Sequence, residues 1–106
     1  MKRWAANKVM IDAQTLWLNA VVECDDSGVV TAVFPLSEQL AEPASTRFVN
    51  GLITTEVPLD KCVVDVFIPD LLTQTLTAGY KGQLVLWQNI NLTTLKVTSE
   101  TQIHLL

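Results

Sequence analysis

Histidine is almost missing from this chain: His104 is the only one among 106 residues. A catalytic zinc site draws about three ligands from the protein and a structural site four, mostly His, Cys and carboxylate. Cys24 and Cys62 are the only cysteines, and neither sits in a C-x-x-C pair or beside the histidine. Without a ligand spacing, the sequence argues against an intrinsic metal site. Basic residues are scarce too, with seven Lys and Arg against eleven Asp and Glu and a net charge of −4. Lys2, Arg3 and Lys8 are too few to form the basic patch that nucleic-acid binding needs. Long apolar runs are also lacking. Asn7, Lys8, Asp12 and Gln14 interrupt what would be the apolar core of a signal peptide, and no stretch approaches the ~20 apolar residues of a membrane-spanning helix. The expected compartment is therefore the cytoplasm, where both thiols should stay reduced and buried. Gly-rich phosphate loops, G-x-S-x-G and H-E-x-x-H are all missing. Four glycines and four prolines are spread as punctuation, with no linker, repeat or low-complexity tract.

What is present is apolar. The chain is 49% hydrophobic and only 17% charged, which excludes disorder, and its length suits one domain with its own core. So few charges leave apolar surface that a partner would cover. Valine and threonine are abundant while glutamate and lysine are sparse, which favours strands over helices.

Strands are expected at residues 3–11 and 15–24. In the second, Leu16, Leu18, Ala20, Val22 and Cys24 alternate with Trp17, Asn19, Val21 and Glu23 at period two. Asp25, Asp26, Ser27 and Gly28 form a hairpin turn, and residues 29–34 return antiparallel until Pro35. Residues 37–45 read as loop with room for one helical turn. Residues 47–55 read as two short strands about an Asn50-Gly51 turn, or one strand with a bulge. Further strands are expected at 62–68, 93–99 and 101–106 and, after a turn, within 81–87, with a short helix near 70–77 capped by Asp70 and carrying Leu72 and Leu76 on one face. Seven or eight short strands with closely spaced turns predict an all-β sandwich or barrel-like domain over residues 1–106.

The order of these segments resembles the composite β-sandwich domain of the amidohydrolase superfamily, metal-dependent hydrolases built around a TIM barrel. Asp26, Ser27, Gly28, Val29, Val30 and Val33 match its hairpin. Asn50, Gly51, Leu52 and Ile53 match the run-in to its metal site. Gly79, Lys81, Gly82, Gln83, Leu84, Val85 and Leu86 are similar to its C-terminal piece. Residues 1–53 thus resemble the N-terminal piece and 77–106 the C-terminal piece. Residues 54–76 form a short bridge where the family carries a barrel of ~250 residues. Thr54, Thr55, Glu56, Val57 and Pro58 stand where metal-binding histidines would follow. The resemblance implies a related domain that has lost its barrel, its metal and its catalysis.

No other constellation carries chemistry in the sequence. Cys24, Cys62, Asp65 and His104 show no ligand spacing. A Cys–His pair lacks anything that would lower a thiol pKa. Asp25-Asp26 reads as turn chemistry rather than an acid–base pair. His104 is expected on the exposed side of its strand, opposite Ile103 and Leu105. Trp4, Trp17 and Trp87 read as packing residues, with Trp17 and Val21 the candidates for an interface because both faces of strand 15–24 are apolar. Asn91-Leu92-Thr93 is a glycosylation sequon that matters only on export. The expected function is a non-catalytic interaction domain with no cofactor, forming a homodimer. The alternatives are an accessory chain for a separate barrel-type hydrolase and a small-molecule binder.

Overall fold

The computed structural model describes residues 2–38 and 46–106. Six strands form one mixed sheet: β1 (Lys2–Asp12), β2 (Thr15–Cys24), β3 (Val30–Pro35), β4 (Thr46–Thr54), β5 (Val85–Gln88) and β6 (Gln102–Leu105). Their order is β3-β2-β1-β4-β5-β6. Only β1 and β4 run parallel, and every other pairing is antiparallel. The all-β class is as expected, but among the described residues six strands stand in place of seven or eight. Both chain ends enter one sheet, yet β4 lies between β1 and β5, so the C-terminal strands do not pair with β1 or β2.

The β2–β3 hairpin follows from local chemistry. Asp25 Oδ1 accepts hydrogen bonds from the Ser27 N–H at 2.9 Å and the Val29 N–H at 3.0 Å. Gly28 takes φ 87°, a region that costs glycine nothing.

The simple alternation expected along β2 fails at its middle. Asn19 has φ 50°, so the faces exchange there. Trp17 packs with Ala20, Val22 and Cys24 in one apolar cluster, while Leu16 belongs to the cluster on the other side of the sheet. β1 exchanges faces at the same level, with Trp4 and Ala6 giving way to Val9 and Ile11 in the first cluster. The pairs Ala6↔Ala20 and Lys8↔Leu18 bracket this level and set Asn7 opposite Asn19. In β4 the register moves from Ala6↔Val49 to Lys8↔Leu52. β4 therefore carries one extra residue at Asn50-Gly51, which is the bulge and not the turn.

Each face of the sheet has its own core, closed by irregular segments. Leu76, Tyr80 and Leu84 cover Val9, Ala20, Val22 and Ile53 on one side. Ile68, Leu71, Leu95 and Val97 cover Met10, Leu52, Val85 and Trp87 on the other. Trp87 is fully buried, and its indole N–H donates to Thr54 Oγ1 at 2.9 Å, so the ring's polar edge is satisfied.

Residues 62–68 and 93–99 are not strands. Asp65 and Leu95 take φ 71° and 56°, which breaks the extended path in each. The two segments still meet, through the Asp65 N–H to Val97 O at 2.8 Å and the Ile68 N–H to Leu95 O at 2.9 Å. The helix expected near 70–77 is replaced by a single 3-10 turn at Ile68–Leu71, with Phe67 at the cap position and Asp70 inside it. Leu72 and Leu76, expected on one helical face, pack on opposite sides of the sheet. The helical turn allowed for in 37–45 is a 3-10 turn at Leu36–Glu38; the rest of that loop lies outside the described residues.

Candidate functional site

The candidate catalytic residues of the sequence do not converge. Cys24 ends β2 and His104 lies in β6, with β1, β4 and β5 between them in the sheet. Cys62 packs against the Trp87 side of the sheet. His104 pairs with Leu86, whose side chain belongs to the other side. Both thiols are free. Burial pushes the Cys24 thiol above its usual pKa, and the neighbouring Asp25 charge adds to the shift. Burial and then Asp60 do the same for Cys62, which is only half-buried. Both shifts favour the unreactive thiol over the thiolate. Among the described residues no three His, Cys, Asp or Glu are placed to hold a metal ion. Asp25 is committed to the hairpin, and its hydrogen bonds to Ser27 and Val29 hold its carboxyl below the usual range.

The two interface candidates differ in position. Val21 is fully buried within the chain and presents no surface. Trp17 is half-buried against the Val9–Ala20 cluster. Single exposed apolar side chains lie on β2 (Leu18, 63%), β4 (Phe48, 60%) and β6 (Leu105, 57%), and four more come from one short segment between β4 and β5. Leu59, Val63, Val64 and Phe67 are 53%, 59%, 55% and 40% exposed. This segment is held from beneath by buried Ile68 and by the hydrogen bonds to Leu95 and Val97. Its side chains are therefore displayed on fixed backbone. A 3-10 turn at Leu59–Lys61 and a backbone bond from the Val66 N–H to Val63 O at 3.1 Å fold it tightly. Reading 62–68 as a strand hid this surface. The available signal was Asp65 in the middle of an apolar run.

The described residues also line clefts away from this segment, two of which involve residues singled out in the sequence. One, of about 380 Å³, is lined by Lys2, Trp4 and the Cys24–Gly28 turn on one wall and by residues 81–84 on the other. The Val29↔Lys81 bridge and the Val30 N–H to Tyr80 O bond at 2.9 Å bring these segments together. The second, of about 490 Å³, lies at the β4 bulge and is lined by Asn7, Asn50, Gly51, Gln88, Asn89, Ile90 and Leu92.

Comparison with known proteins finds no matching family model, curated protein or solved structure. Nothing in the comparisons links the chain to the amidohydrolase superfamily. No helix among the described residues is long and apolar enough to cross a membrane.

Proposed function

We propose that this chain is a non-catalytic interaction domain that forms a homodimer through residues 59–67. The carrying observation is the display of Leu59, Val63, Val64 and Phe67 on a segment whose backbone is pinned to the core. Covering about half of each side chain is worth roughly 1 kcal/mol, hence roughly 8 kcal/mol over both copies. Association costs on the order of 4–15 kcal/mol. At the low end of that cost about 4 kcal/mol remains, a weak dimer with Kd on the order of 1 mM. A second copy suits the charges of the segment: Asp60, Lys61 and Asp65 include both signs. In a twofold arrangement Lys61 of each copy can face an aspartate of the other. This reading moves the interface from Trp17 and Val21 to the segment that follows β4.

The domain is also proposed to derive from an amidohydrolase composite domain. Support comes from the cleft in which the Cys24–Gly28 turn meets residues 81–84, because these are segments of the two pieces that carry the resemblance. Residues 59–67 then belong to the bridge that replaces the barrel. A cytoplasmic location fits two free thiols.

Sedimentation velocity on the wild type and on Val63→Asp/Val64→Asp tests the proposal. The wild type should move from 11.7 kDa toward twice that mass as concentration rises, and the variant should stay at the lower mass. A wild type that remains at one chain mass at millimolar concentration would end the proposal.

A further inference from the structure

We infer that the cleft at the β4 bulge is a binding site for a neutral, hydroxyl-rich ligand of the saccharide class. Asn7, Asn50, Gln88 and Asn89 bring four carboxamides to one cleft, over Ile90 and Leu92, with no charged residue in its lining. Its volume of about 490 Å³ lies in the range of small-molecule sites.

Two of the amides are fixed and oriented by the fold. Asn7 Oδ1 accepts the Gly51 N–H at 2.8 Å, so its Nδ2 donors face away from that bond. Gln88 Nε2 donates to the Asn50 carbonyl at 3.0 Å, which leaves Gln88 Oε1 as an acceptor. The site thus holds a placed donor and a placed acceptor. The Asn50 and Asn89 side chains make no hydrogen bond among the described residues. The Asn89 backbone is held by Thr98 Oγ1, which donates to its carbonyl at 3.0 Å, and it takes φ 58°.

The chemistry selects among ligands. A carboxamide donates and accepts at once, as does each hydroxyl of a sugar, so a cluster of amides matches vicinal hydroxyls. No Lys or Arg lines the cleft to pair with a phosphate, although the Lys8 ammonium lies next to it on the Leu92 carbonyl, so the phosphorylated ligand is the control that tests this selectivity. Extended peptides bind by adding to a sheet edge. The strands that carry Asn7 and Gln88 are paired on both sides, whereas β4 pairs with β5 only over Leu52–Thr54, so a peptide could add only along the short free stretch before Gly51.

The test is a 1H–15N NMR titration with cellobiose, maltose and N,N′-diacetylchitobiose, read at the side-chain amide signals. Glucose 6-phosphate and acetyl-triglycine amide are titrated alongside. Asn89→Gly keeps the positive φ and Asn50→Ala removes a side chain with no internal hydrogen bond, so both variants should fold. At least one disaccharide should shift the signals of Asn7 and Gln88 in the millimolar range, and each variant should weaken that binding about tenfold. The inference is overturned if none of the three disaccharides shifts these signals, if both variants bind as the wild type does, or if the phosphate or the peptide binds more tightly than every disaccharide.

Discussion

A β-carbon on Gly51 would sit 2.1 Å from the carbonyl oxygen of Trp87. Gly51 lies in β4 at φ 135°, a conformation that side-chain-bearing residues rarely adopt. The neighbouring strand β5 can approach this closely only because no side chain is there. The same residue donates its N–H to Asn7 and so ties the bulge to β1.

Gly51→Ala should therefore cost about 3–5 kcal/mol or prevent folding. The loss is a large part of the ~5–15 kcal/mol that holds a domain of this kind together. Urea denaturation followed by tryptophan fluorescence measures it, since Trp87 is buried beside the bulge. A midpoint within about 0.5 kcal/mol of wild type would show that β4 and β5 separate at little cost.

Glu23 provides a pH dependence. Its carboxylate accepts from Arg3 Nε at 2.7 Å and from Thr31 Oγ1 at 3.0 Å. The Arg3 hydrogen bond, opposed by partial burial, holds its pKa below the usual carboxylate range. A carboxylate depressed in the folded state stabilises above its unfolded pKa, and that contribution disappears as pH falls through the lowered folded value. Glu23→Gln should be less stable than wild type by about 0.5–1 kcal/mol at neutral pH. The difference should close below the ordinary carboxylate range. Thermal melts from neutral to acid pH check this, and a constant difference at every pH would assign the effect to packing.

Strands with simple hydrogen-bonding needs were legible in the sequence. Residues 15–24 match β2 end to end, and the Asp25–Gly28 turn follows from side-chain capping. The face exchange at Asn7 and Asn19 was not legible, because asparagine at one position in a strand looks the same whether φ is negative or positive. Nor was the fate of residues 62–68. Their valines have strand propensity, but Asp65 and Leu95 adopt positive φ, and the two segments pair with each other and with the turn after β5 rather than with the sheet. The position of Val21 was misjudged for a related reason. Val21 was placed beside Trp17 by strict alternation, whereas the exchange at Asn19 puts it on the opposite face, fully buried. The amide cleft is assembled from three strands and a following turn, so no local spacing announces it.

Self-association through residues 59–67 is tested most directly by 1H–15N NMR spectra recorded during dilution from about 3 mM to about 50 µM, a range that spans the expected Kd. The backbone amides of residues 59–67 should change shift with concentration, those around Trp17 should not, and Val64→Asp should abolish the change. Spectra that are independent of concentration, or changes centred on Trp17, would contradict the account.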